Sequence, residues 1–86
     1  MQYTYQTRGT CSRGIVIEVE NDVVTKVNYI GGCPGNTQGV ARLAENRPVD
    51  ELISILDGIR CGYKPTSCPD QLAQALKQIK DGKLQP

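Results

Sequence analysis

Four cysteines, Cys11, Cys33, Cys61 and Cys68, each fall where a loop meets a regular element. The chain around them lacks much of what usually holds a small domain together. Its 86 residues contain no Phe, no Trp and no His, and the only aromatics are four Tyr. A domain of this length buries only about 60–65% of its unfolded-chain surface, so its net stability is slim. Phe and Trp normally supply large blocks of buried area. The sequence therefore predicts a supplement to the core, which could be a metal, disulfides or a partner chain.

Other absences narrow the function. Without His, a Ser-His-Asp triad, a Cys-His dyad and an imidazole-ligated metal are excluded within the chain. No stretch approaches the roughly 18 apolar residues of a membrane span, so no membrane partner is expected. Met1 to Tyr5 has neither a basic n-region nor an apolar h-region. A cytoplasmic location is the expectation, and persistent disulfides are uncommon there. The formal charge of +1 predicts no electrostatic duplex-DNA binder, but leaves other nucleic-acid contacts open.

Hydrophobic periodicity divides the chain in two. Residues 2–8 alternate and are rich in Tyr and Thr, which reads as a strand. A second strand at 15–20 puts Ile15, Ile17 and Val19 on one face. A third runs from Val23 to Ile30, with Val23, Val27 and Tyr29 as its inward face. A three-residue hairpin loop, Glu20-Asn21-Asp22, would pair Val19 with Val23 and Ile15 with Val27. A strict two-residue loop would set Ile17 beside Lys26, so the longer loop is favoured.

Three helices follow. Asn36 can cap the first, which runs to about Asn46 with Val40, Leu43 and Ala44 as its apolar side. Pro48 suits the start of the second. Val49, Leu52, Ile53 and Leu56 form its stripe, and Gly58 ends it. Pro69 opens the third, whose stripe is Leu72, Ala73, Leu76 and Ile79. Its Lys77 and Lys80 suit a C-terminal end. The expectation is one α+β domain over 1–86: a small antiparallel sheet of about three strands, then three helices packed on one face. An exposed edge on the first strand would also suit a homodimer.

None of the cysteines occupies a core position of a stripe, where a buried structural Cys would more often sit. Loop placement suits metal ligation or redox chemistry, since it leaves the sulfurs free to converge. The spacing is C-x21-C-x27-C-x6-C, without the C-x2-C pair of zinc fingers. Four Cys and no His match an all-thiolate zinc site, and less well an iron–sulfur cluster. Cys33 and Cys68 fall at predicted helix starts, where the dipole favours thiolate, the form that binds zinc. The alternatives are partly buried thiols with no ligand, or reactive thiols, with Cys61 and Cys68 the nearest pair.

Gly31, Gly32, Gly35 and Asn36 make a second candidate. This loop follows a strand and opens a helix, a place where free N–H groups attract phosphate. It lacks Gly-Lys-Ser/Thr and Gly-x-Gly-x-x-Gly, so a tight turn with left-handed glycines is the plainer reading. Asp50, Glu51 and Asp70 read as first-turn helix acids rather than catalytic carboxylates. Tyr3, Tyr5 and Tyr29 read as the aromatic part of the sheet core. Tyr63, between two cysteines, has no such assignment.

Thr66-Ser67-Cys68-Pro69-Asp70 spells the motif that names the TSCPD domain. The segments Thr7 to Ser12, Gly31 to Asn36, Arg60 to Gly62 and Asp70 to Ala73 also resemble that family's signature segments, in order. The family has small stand-alone bacterial proteins, and similar domains end adenosylcobalamin-dependent ribonucleotide reductases. The resemblance implies a cysteine-based metal site at Cys11, Cys33, Cys61 and Cys68, holding zinc. It also implies an association with ribonucleotide reduction. The name ribonucleoside-diphosphate reductase would attach only by family, because the catalytic barrel and its radical-forming cysteines have no counterpart in 86 residues. Three functions follow in order: a non-catalytic zinc-binding accessory domain that docks on a reductase subunit or a nucleic acid, a thiol redox partner using Cys61 and Cys68, and a nucleotide-binding regulator using residues 31–36.

Overall fold

The computed structural model describes residues 1–10, 12–32 and 34–86, and for Pro34 the backbone only. Cys11 and Cys33 therefore lie outside the described residues. The elements are β1 (Gln2–Gln6), β2 (Ser12–Glu20), β3 (Val23–Gly31), α1 (Pro34–Ala44), β4 (Arg47–Pro48), α2 (Val49–Leu56) and α3 (Cys68–Lys80). The sheet is antiparallel throughout, in the order β1-β2-β3-β4. The expected α+β class is present, with a short fourth strand added. Asn46, at φ +67°, turns the chain out of α1, and its N–H reaches the Val24 carbonyl at 2.7 Å. That contact lays Arg47 and Pro48 against β3.

The β2–β3 hairpin corrects the expected register. Its loop has two residues, Asn21 and Asp22, both at positive φ, and Glu20 pairs with Val23. This is the loop chemistry that matches strand twist. The apolar set is rescued by a bulge that interrupts the ladder between Glu18 and Val19. Val19 pairs with Val24 and Glu18 with Lys26, leaving Thr25 as the extra residue. Its hydroxyl donates to the Glu18 carbonyl at 3.2 Å. Ile17 then stands opposite Val27 and Ile15 opposite Tyr29. The inward face of β3 is accordingly Val24, Val27 and Tyr29, with Val23 only half-buried. A single inserted residue shifts the face parity, which pattern reasoning over an unbroken strand does not anticipate.

Ile15, Ile17, Val24, Leu72 and Leu76 are the largest fully buried side chains. Burying each contributes on the order of 1.5–3 kcal/mol. α3 supplies Leu72, Ala75 and Leu76 to this core, and α2 supplies Val49 and Leu52. α1 lies along β3 and contributes Ala41 and Ala44. Leu43, expected on its apolar side, is 69% exposed, and α1 begins at Pro34 rather than being capped by Asn36. On the other face of the sheet, Val16 and Glu18 are half-buried and Lys26 and Asn28 exposed. Tyr5 and Tyr29 pack against the core as expected, whereas Tyr3 is half-buried and its hydroxyl meets the Met1 sulfur at 3.7 Å.

Candidate functional site: the cysteine-bearing end

The motif at 66–70 builds the start of α3. Ser67 has extended backbone, and its Oγ accepts the Asp70 N–H at 3.2 Å, an N-cap. The same hydroxyl donates to the Ile59 carbonyl at 2.6 Å. Pro69 fills the first turn, where no intrahelical N–H is needed. Asp70 is buried, and its carboxylate is fully engaged. Oδ1 accepts the Gly58 N–H at 2.7 Å and the Gln74 amide at 3.1 Å, and Oδ2 accepts the Thr66 hydroxyl. Asp70 is thus a first-turn acid, as expected, and also the post to which the 58–66 loop is tied.

Gln71 extends the tie to the first loop. Its amide donates to Thr66 Oγ1 at 3.0 Å, while its carbonyl accepts the Arg8 N–H at 2.9 Å. Gly9 presses against Thr66 here. A Cβ at Gly9 would stand 2.9 Å from Thr66 Cγ2, and its φ is +74°. Gln71 falls in the segment Asp70 to Ala73 that resembles the family's signature, but no role was read for it. Its other signal was a polar residue on the buried side of an amphipathic helix.

Cys68 is buried beneath this tie. Its Sγ faces the Ser12 Oγ at 3.5 Å, and Ser12 is itself buried. Thr7 donates its hydroxyl to the Ser12 carbonyl at 2.6 Å, and the Thr10 and Ser12 hydroxyls meet at 2.9 Å. From the sheet, Tyr29 donates its hydroxyl to the Cys68 carbonyl at 2.8 Å. Burial pushes the Tyr29 phenol well above its ordinary range, and the neighbouring Cys68 thiol adds to the shift. Ser12 also receives Gly32, where a Cβ would sit 3.2 Å from the Ser12 Cα and Cβ. The φ of +84° at Gly32 and this close approach both call for glycine.

Cys61 is exposed, in a turn closed by the Lys64 N–H on the Cys61 carbonyl at 3.0 Å. Its own N–H bonds the Thr66 carbonyl at 3.3 Å. Cys61 and Cys68 are both free thiols, and they border one cleft of about 360 Å³. Gly9, Thr10 and Asn36 line the same cleft. Residues flanking all four cysteines thus meet at one end of the molecule: Thr10 and Ser12 beside position 11, Gly32 beside position 33, and the 61 and 68 segments themselves. Among the described residues, no group of three or more Cys, Asp and Glu converges on a metal position. That group excludes the two cysteines outside the description.

The structure divides the candidate phosphate loop. Gly31 and Gly32 border a separate cleft of about 530 Å³ with Thr37, Ala41, Arg42 and Glu45. Asn36 turns to the cysteine cleft instead, and Gly35 has open space beside it. Among the described residues, no helix is long and apolar enough to cross a membrane.

The fold and this end define a small α+β domain in which the exposed Cys61 and the buried Cys68 border one cleft at the start of α3. The chain belongs to the TSCPD domain family, whose model matches residues 2–80. No curated protein and no solved structure matches the chain.

Proposed function

We propose that the chain is a non-catalytic accessory domain associated with ribonucleotide reduction, held at one end by a structural zinc ion on Cys11, Cys33, Cys61 and Cys68. The observation that carries this reading is the shared location of the flanking residues. Cys68 Sγ lies against Ser12, Ser12 against Gly32, and the Cys61 and Thr10 segments close the same cleft. The donor set fits zinc, since two free thiols border one cleft and four sulfurs make a closed tetrahedral site. A zinc ion held this way supplies cross-links between loops and no open position for chemistry. The protein's own part is to place the sulfurs: the Ser67 cap and the Asp70 tie set the start of α3, and Gly32 allows its loop to approach Ser12.

Family membership supports the link to reductases, whose adenosylcobalamin-dependent members carry similar domains at their C-terminal ends. On this reading the domain supports a reductase's chemistry and does not itself carry it out. Elemental analysis of protein purified without chelator tests the metal. Stoichiometric zinc, lost when any one of the four cysteines is changed to Ser, supports the reading. Metal-free protein with four titratable thiols and an unchanged fold overturns it.

A further inference from the structure

We propose that the turn at 60–64 and the rim of the cysteine cleft bind single-stranded nucleic acid, with Tyr63 as the stacking platform. Tyr63 is 101% exposed, so its ring packs on nothing in the chain. It stands at the tip of the turn that Lys64 N–H closes onto Cys61, with Arg60 and Lys64 on either side of it in sequence. Arg60 and Lys64 also line the cleft, together with Gly9 and Thr10. Arg8, held at that rim by its N–H bond to Gln71, is exposed as well.

The near-neutral net charge conceals a separation. Among the described residues, the ion pairs are Met1 with Glu20, Arg47 with Glu51, Lys77 with Asp57, and Lys80 with Asp50. None of these paired residues lines the cysteine cleft, and the nearest in sequence, Asp57, is taken up by Lys77. Arg8, Arg60 and Lys64 are in none of them. The acid beside these bases is Asp70, which is buried and spends both oxygens on Gly58, Gln74 and Thr66. Among the described residues, the cleft rim therefore presents exposed cations with no surface carboxylate lining it.

Cations alone would suit any polyanion. The exposed phenol between two of them selects among polyanions, because a base offers a π-face to stack on and an acidic peptide does not. A duplex hides its base faces and calls for a longer basic stripe than one rim provides. This inference uses the turn and its charges, and does not depend on which metal the cysteines hold.

The test is fluorescence anisotropy of a labelled oligothymidylate with the protein as purified, across a salt series. Binding should be saturable at low salt and weaken as salt rises, through release of counterions from the phosphates. Tyr63→Ala should weaken it by about five- to 150-fold, the range seen when one stacking aromatic is removed. Arg60→Gln with Lys64→Gln should flatten the salt dependence. Tyr63 touches nothing, so its variant keeps the fold. Absence of saturable binding at low salt overturns the proposal. So does an unchanged affinity for Tyr63→Ala. Equal binding of labelled polyglutamate would identify a surface for acidic proteins and overturn it too.

Discussion

The Sγ of Cys68 and the Oγ of Ser12 lie 3.5 Å apart, across 56 positions of sequence. This contact joins the first residue of α3 to the first residue of β2. It also gathers the short polar side chains of Thr7 and Thr10 around one buried point. In a domain without Phe or Trp, this polar knot does the joining that an aromatic side chain would otherwise do. The described residues leave no buried side-chain nitrogen or oxygen without a hydrogen-bond partner, so the knot is satisfied rather than strained.

Removing the Ser12 hydroxyl should therefore matter more than its size suggests. Ser12→Ala takes a partner from Thr10, Cys68 and Thr7. We expect a loss of about 1 kcal/mol, the typical net worth of one buried hydrogen bond. Urea unfolding monitored by circular dichroism would measure it. Thr10→Ala, at a half-buried position, should cost less. Equal effects for the two would show that the Cys68 and Thr7 contacts of the Ser12 hydroxyl contribute nothing.

Asp70 offers a sharper substitution, because its carboxylate accepts from three donors at once. Asp70→Asn keeps the shape and replaces one acceptor oxygen with an NH2 that must face a donor. The expected cost is about 1–3 kcal/mol, the penalty for a buried polar group left unsatisfied. The damage should be local to the 58–66 loop, which Asp70 holds through Gly58 and Thr66. Amide hydrogen exchange at Gly58 would show faster opening there than in β2. Uniform acceleration across the sheet would argue against a local tie.

These two sites show where the sequence was legible and where it was not. The three helices were readable because Leu72, Ala73 and Leu76, or Val49 and Leu52, repeat with helical period and Pro48 and Pro69 mark starts. The α+β layout followed from their order. The hairpin was misjudged because Thr25 bulges out, and a bulge leaves no signature in the hydrophobic pattern. Leu43 was misplaced because α1 turns the small Ala41 and Ala44 toward the core instead, near its C-terminal end. For the site, the placement of Cys61 in a loop and of Cys68 at a helix start was visible. The Thr66, Asp70 and Gln71 ties were not, since they depend on Arg8 and Gly58 arriving from distant segments.

Tyr29 gives a prediction in pH. Burial raises its phenol pKa above that of the unfolded chain, near 10. The folded state thus disfavours the phenolate. Stability from this group is fully present below the unfolded pKa and is lost as pH climbs from there through the folded pKa. The protein should lose stability above about pH 10, where the unfolded chain releases a proton that the folded chain keeps. Tyr29→Phe should reduce that alkaline slope, leaving the part that comes from Lys80, which Asp50 holds protonated. It should also cost about 0.5–1.5 kcal/mol at neutral pH, through the lost bond to the Cys68 carbonyl. Thermal melts across an alkaline series, with tyrosinate absorbance followed in parallel, would read both. A slope undiminished in Tyr29→Phe would assign it to another group.

Two glycines should respond to alanine in opposite directions. Gly39 lies inside α1 with a helical backbone, and a Cβ there meets nothing within 4 Å. Gly39→Ala should stabilise by about 0.5–1 kcal/mol, since alanine restricts the unfolded chain and suits a helix. Gly9 is at φ +74°, and a Cβ there would stand 2.9 Å from Thr66 Cγ2. Gly9→Ala must bear the left-handed backbone, roughly 1–2 kcal/mol for an L-residue, and push back the Thr66 methyl. Thr66 cannot yield freely, because its hydroxyl is committed to Asp70 and Gln71. The loss should therefore exceed the backbone term alone. Combining Gly9→Ala with Thr66→Ser removes the methyl while keeping the hydroxyl, and should recover the steric part only. If the double variant is no more stable than Gly9→Ala, the close approach of these two loops is not what requires glycine.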